Sequence, residues 1–345
     1  MKIDINKTYV LDTAKEILEI HSPSGFCYDV MTLIKAKAQT FGYLFETTRK
    51  GCGIISIPGE SEEQVIGLSA HVDTLGAMVR SITATGTIKF TLIGGPIPAT
   101  LDSEYCEIRT RKGKIYTGTF LSTSSAAHVY EDSKTKERSP EKMEIRIDEM
   151  VHSKEDVLAL GIQSGDFIFI EPKTVITESG FIKSRFIDDK GSVAALMGLL
   201  ELLHRENKKP NFTTKIFISV YEEVGHGSSY IPEDITEMIA VDMGCIGEDL
   251  NCTEYDVSIC AKDSGGPYDY EMTTQLAELA EANNLKYVVD IYPMYGSDVG
   301  AALRGGNNIR GALIGPGVHA SHGMERTHYV ALENTIKLLY LYLTT

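Results

Sequence analysis

Apolar residues between positions 7 and 41 recur at helical spacing: Val10, Ile17 and Leu18, then Val30, Leu33 and Ile34. That pattern predicts two helices, separated by the turn sequence Ser22-Pro23-Ser24-Gly25. Two short apolar runs follow, at 53–57 and 65–70. Both read as strands, and the second is apolar on both faces, as a central strand of a buried sheet must be. Beyond Phe181 strands and helices alternate. Residues 192–204 form an amphipathic helix, with Val193, Leu196, Met197, Leu200 and Leu203 on one side. Strands are predicted at 215–221, 238–241, 257–259, 287–291 and 309–314, with helices at 273–283 and 332–343. Such alternation predicts an α/β fold in which helices sandwich a mostly parallel sheet.

From about 76 to 177 the texture is different. Short β-branched segments at 79–82, 88–92, 106–109, 114–120, 143–147 and 167–170 are separated by Gly, Pro and polar clusters. This predicts a small β-barrel-like domain inserted into the α/β core. The expected division is therefore residues 1–75 with 178–345 as one domain, and 76–177 as the other. The charged stretch 131–142 reads as a solvated loop inside the insertion.

Composition narrows the function classes. The 345 residues carry 48 acidic against 33 basic side chains, a net charge of −15. That balance repels phosphate backbones and anionic lipid heads, so neither a nucleic acid nor a membrane surface is an expected partner. No apolar run approaches the roughly 20 residues of a membrane helix. The first residues lack the apolar stretch of a secretory signal, and the six cysteines form no CxxC pair. A cytoplasmic protein with free thiols is the expectation. Cys245 and Cys252 lie close in sequence to a candidate site residue, Asp242.

Five short signals place a metal-ligand type of side chain just after an apolar strand or at a helix start, the edge where open α/β sheets bind ligands. In Ser69-Ala70-His71-Val72-Asp73, continued strand geometry would put His71 and Asp73 on one face. His71 could then ligate a cation while Asp73 accepts its other ring N–H. In Phe186-Ile187-Asp188-Asp189-Lys190-Gly191, paired aspartates open a helix, where they serve either as caps or as ligands. Tyr221-Glu222-Glu223-Val224-Gly225 ends a strand with adjacent acids, which would repel each other if buried without a cation. One of them could ligate while the other takes a proton from water. Asp242 follows the run Ile239-Ala240-Val241. Finally, three of the nine histidines, His319, His322 and His328, fall within ten positions after the strand at 309–314. The set matches the needs of a two-metal hydrolase: a His and a terminal carboxylate per ion, a shared carboxylate, and a free base. Neither a GxSxG elbow nor a phosphate-binding glycine loop is present.

These segments resemble the M42 family of metallo-aminopeptidases, which includes glutamyl and self-compartmentalising tetrahedral aminopeptidases. The similarity lies in AHVD (70–73), RFIDDKG (185–191), YEEVG (221–225), the VD strand end (241–242), YGSDVGAA (295–302) and SHGMERTH (321–328), with LGIQSGDFIFIEP (160–172) like the segment that closes that family's second domain. The resemblance implies His71 and Asp242 on one divalent ion, Glu223 and His322 on another, and Asp188 bridging. It implies Glu222 as general base, Asp73 behind His71, and Asp298 on the substrate side. Of the three clustered histidines it selects His322, although the chain reads HASHGMERTH where the family has a His-Ser-Pro-like run. The implied activity is removal of N-terminal residues from peptides by water activated between two cations, zinc first, with cobalt or manganese as alternatives. A related carboxypeptidase, dipeptidase or deacylase would use nearly the same ligands, and a non-catalytic scaffold would have no use for the second glutamate. The family also implies a homo-oligomer, up to a dodecamer, assembled through the β insertion.

Overall fold

The computed structural model describes residues 3–345. The chain forms two compact units: one takes in the chain up to Thr74 together with Lys173–Thr345, the other is Leu75–Pro172.

The larger unit is built on a ten-stranded sheet. Its centre holds four mutually parallel strands in the order Phe212–Ser219, Ser61–His71, Glu237–Val241, Arg310–Val318. Antiparallel strands flank them on both sides, Gly53–Ile57 beside Phe212–Ser219 and Val257–Asp263 beside Arg310–Val318. The sequence explains the centre: residues 65–71 are buried without a break, which only a strand covered on both faces allows. Register sets three of the strand ends nearly level, while Arg310–Val318 runs four residues further. Ser219 pairs with His71, Ala240 with Ser69, and Val241 with Ile314, so the segments leaving the four strands converge on one edge.

The helix Ile187–Arg205 lies against this sheet and against helices Lys7–Leu18 and Tyr329–Thr344. It is buried from Ile187 to Leu203, broader burial than the one-sided amphipathic pattern predicted. It also starts earlier than position 192, although Asp188 (φ −73°, ψ 105°) and Asp189 (φ −117°, ψ 21°) depart from helical geometry and the peptide between them is cis. The helix near 273–283 runs Tyr270–Ala282, because the Asp269 side chain caps it by accepting from the Met272 amide at 2.9 Å. A three-stranded sheet of Val175–Ile176, Phe181–Ser184 and Glu325–His328 was not legible as strands. Its members are only two to four residues long, and the pairing of Phe181–Ser184 with Glu325–His328 joins segments far apart in the chain.

The smaller unit is a closed six-stranded barrel, in the order Gly76–Ile82, Ile88–Ile93, Met143–Ile147, Ile115–Ser122, Tyr105–Arg109, Phe167–Ile170. Phe90 and Phe120 meet edge to face inside it, centroids 4.9 Å apart. A helix at Lys154–Ala159, capped by Ser153, breaks the all-β texture. The charged stretch 131–142 holds the ion pair of Arg138 with Asp102 at 2.8 Å and ends in the short turn Pro140–Lys142. The unit ends at Pro172 rather than 177, since Val175–Ile176 pairs elsewhere.

Gly315 shows how tightly the site edge is packed. A Cβ there would lie 1.2 Å from the Asp242 carbonyl oxygen. Gly315→Ala is expected to destabilise the protein by more than the roughly 1–3 kcal/mol of ordinary overpacking, because backbone must move. Denaturant unfolding checks this; an unchanged midpoint would contradict it.

Candidate active site

The strand-borne candidates leave the same edge of the sheet. His71 is the last residue of its strand, Glu222 and Glu223 form a short turn after Phe212–Ser219, Asp242 follows Glu237–Val241, and His322 lies in the loop after Arg310–Val318. Asp188 enters from the helix start. Its Oδ1 is 3.2 Å from His71 Nε2, and its Oδ2 is 3.7 Å from His322 Nε2. Asp242 Oδ2 lies 4.0 Å from His71 Nε2, and Glu223 Oε2 lies 3.8 Å from His322 Nε2. Glu222 Oε2 is 3.7 Å from His71 Nε2. His71, Asp188 and Glu223, and likewise His71, Asp189 and Asp242, bring donor atoms within 4.8 Å of one another, close enough to hold a metal ion.

Buried carboxylates hold the backbone beneath these groups. His71 Nδ1 is 2.9 Å from the Asp73 carbonyl oxygen, which sets Nδ1 as the protonated nitrogen and turns the Nε2 lone pair into the site. The Asp73 carboxylate therefore does not play the expected part; it is 3.6 Å from that ring nitrogen. The strand ends at His71, and the Asp73 carboxylate, still facing the ring, accepts instead from Ser24 Oγ (2.5 Å) and the amides of Glu222 (3.0 Å) and Glu223 (3.2 Å). Asp189 accepts from the His71 amide at 3.1 Å. Glu325 accepts from the Asp188 amide at 3.0 Å and the His322 amide at 2.9 Å. The sequence reading assigned nothing to Glu325 and no distinct part to Asp189; Asp189 meets His71 and Glu325 meets Asp188 across more than a hundred positions, contacts that no local pattern reveals.

The remaining candidates fall elsewhere. His328 is committed to structure: its Nδ1 accepts from the Val330 amide (3.1 Å), and its Nε2 lies 2.8 Å from the Ser179 carbonyl. His319 is exposed, its backbone paired with Arg326. Asp298 is 2% exposed. A Cβ on Gly227 would meet both Ser219 Oγ and Asp298 Oδ1, which puts this carboxylate beneath the Glu222–Glu223 turn and not on an open face. Cys245 is half-buried and Cys252 buried, and burial raises both thiols well above their ordinary range.

The electrostatics show a site short of positive charge. Burial, then the Asp188 charge, pushes Asp242 up to about 7. Burial and neighbouring acids raise Glu222 and Glu223 well above the usual range, and Glu325 is raised to about 8 by burial and Asp188. Asp188 alone is lowered, because His71 and His322 outweigh its burial. His71 is raised, its burial overcome by Asp188, Glu222, Asp73 and Asp242. Glu223 Oε1 and Asp189 Oδ1 are buried without a hydrogen-bond partner. Unpaired oxygens among mutually repelling acids, with imidazole beside them and no thiolate pair, suit cations such as Zn²⁺, Co²⁺ or Mn²⁺.

Comparison with known proteins identifies the family. A family model described as M42 glutamyl aminopeptidase matches residues 51–338. The chain belongs to the M42 peptidase family. It is a peptide hydrolase of that family. A Bacillus subtilis (strain 168) protein whose name reads "Putative aminopeptidase YhfE" is 46% identical over 333 residues, covering 96% of each chain. Among solved structures, the aminopeptidase APDkam598 from the archaeon Desulfurococcus kamchatkensis superposes with a TM-score of 0.87 at 20% identity, over 98% of this chain and 95% of that one. The Pyrococcus horikoshii TET1 peptidase, described as assembling into a tetrahedron or a large octahedral shell, has a TM-score of 0.83 at 21% identity, over 97% and 99%. Among the described residues no helix is long and apolar enough to cross a membrane.

The shifts carry a pH signature. Asp242, Glu222, Glu223, Glu325 and His71 all hold protons more tightly folded than unfolded. Their stabilisation is full below the unfolded values and is lost as pH rises through the folded ones. Metal-free protein is therefore expected to lose thermal stability between about pH 4 and pH 8, a window set by the carboxylate reference values and the shifts to about 7 and about 8. Calorimetry on chelator-treated protein checks the sign, and a midpoint that climbs across that window would contradict it.

Proposed function

We propose that the protein is an aminopeptidase with two divalent cations per subunit. One would be held by His71 and Asp242, the other by Glu223 and His322, with Asp188 shared. The observation that supports this most is the division of Asp188: one oxygen faces His71 Nε2 at 3.2 Å, the other His322 Nε2 at 3.7 Å. When bound, such paired cations polarise the scissile carbonyl and acidify water. The nitrogen and oxygen donors fit zinc, cobalt or manganese.

Glu222 is the proposed general base. Its amide is tied to Asp73 at 3.0 Å, so the backbone is fixed. Its carboxylate stands 3.7 Å from His71 Nε2, and burial raises its proton affinity well above that of an exposed glutamate. Glu222 would take the proton of the attacking water and deliver it to the departing amine. Surplus carboxylate around the cations would bind the substrate's free α-ammonium, which confines cleavage to chain ends. Oligomerisation through the Leu75–Pro172 barrel, as dimer or dodecamer, and a cytoplasmic location complete the proposal. It draws on the tetrahedral assembly named for the Pyrococcus horikoshii relative.

Glu222→Gln should keep both cations and lower kcat by about 10²–10⁴-fold, the usual contribution of a general base. Metal analysis beside peptide-hydrolysis kinetics tests this, and wild-type turnover in the variant would overturn the base assignment. Aminoacyl substrates should be cleaved and their N-acetylated forms should not. Efficient cleavage of blocked peptides would identify a carboxypeptidase, dipeptidase or deacylase instead. Light scattering should return a mass well above one 37.9 kDa chain; a monomer would overturn the assembly.

A further inference from the structure

The loop after Val318 must bring a histidine back to a site whose other members stand on regular elements. His322 itself has φ 63°, in the left-handed region that side-chain-bearing residues avoid, and Ala320 before it has φ 59°. Phe186, two residues before Asp188, is also left-handed at φ 68°. Two unfavourable backbone segments thus end at two candidate ligands, and one side chain touches both. Glu325 is 2% exposed; Oε2 accepts from the Asp188 amide at 3.0 Å and Oε1 from the His322 amide at 2.9 Å. Asp188 is 137 positions from Glu325 and His322 only three, so the contact joins the helix start to the C-terminal loop.

We infer that Glu325 is a positioning residue that locks Asp188 and His322 into one geometry and so sets the affinity of the cation they share. The inference rests on the two-metal reading above and extends it. Glu325 is held in turn by the short ladder in which it pairs with Ser184. Its carboxylate acts on backbone amides. A carboxylate is suited to this because both oxygens accept. Glutamine keeps the volume but turns an NH₂ toward one of the two amide donors, so one of the bonds is lost. His71 and Asp242 have their own support in Asp189 and in the Met243 amide, 2.6 Å from Asp242 Oδ1, and they depend less on Glu325.

The test is titration of metal-stripped wild type and Glu325→Gln with Co²⁺, followed by calorimetry and by the cobalt visible spectrum, with thermal unfolding of both metal-free proteins. Wild type should show two binding events. In Glu325→Gln the event assigned to Glu223, His322 and Asp188 should weaken about 10–100-fold, the usual effect of losing a partner that orients a ligand. The other should change much less, and turnover should recover at high Co²⁺. A purely structural role would lower the unfolding midpoint and leave the two affinities alike or move them together. Both events within twofold of wild type, or falling by one common factor, would overturn the inference. If Glu325→Gln does not fold, Glu325→Asp retains the charge but is too short to span both amides, and the same unequal loss is expected; equal affinities there overturn the inference too. A wild type that binds no cation would instead overturn the two-metal reading.

Discussion

Carboxylates crowded together repel one another, and the repulsion grows as water is excluded; at an intermediate dielectric two charges about 4 Å apart interact by about 4 kcal/mol. Asp188, Asp189, Glu222, Glu223 and Asp242 are gathered within a few ångströms of His71. Two imidazoles cannot balance them. The chain either takes up protons, as the raised Asp242, Glu222 and Glu223 indicate, or takes up cations. The rest of the larger unit can be understood as the means of holding that unfavourable cluster in place.

Two devices do the holding. Four parallel strands run toward one edge, where the segments after them and the start of the helix Ile187–Arg205 bring side chains from five separate stretches of chain together. Beneath them, Asp73, Asp189 and Glu325 accept from the backbone amides of Glu222, Glu223, His71, Asp188 and His322. Buried charge is costly, but acceptance of several amide hydrogens offsets that cost and fixes the chain direction at the same time. Preorganisation of this kind is what a hydrolytic site requires, because a displacement of one ångström is costly in rate.

Much of this was legible in the sequence, for identifiable reasons. Unbroken apolar runs followed by His or acid marked the strand ends carrying His71, Glu222, Glu223 and Asp242, and alternation with helices implied the mostly parallel sheet. The six barrel strands stood out as short β-branched runs between turn residues. Geometry was needed elsewhere. His328 looks like a ligand in sequence, yet both ring nitrogens serve a helix cap and a loop. Asp73 was read as the partner of the His71 ring, a reading that assumed the strand continues past His71; it stops there. Glu325 sits in a stretch read as loop, and only the ladder with Phe181–Ser184 turns it inward.

The central claim is that Asp188 joins two cations, one beside His71 and one beside His322. Anomalous diffraction from crystals grown with Zn²⁺ or Co²⁺ tests it most directly. The account predicts two peaks in each subunit, one among His71, Asp188 and Asp242 and the other among Asp188, Glu223 and His322. A single peak, or cations bound away from Asp188, would contradict it.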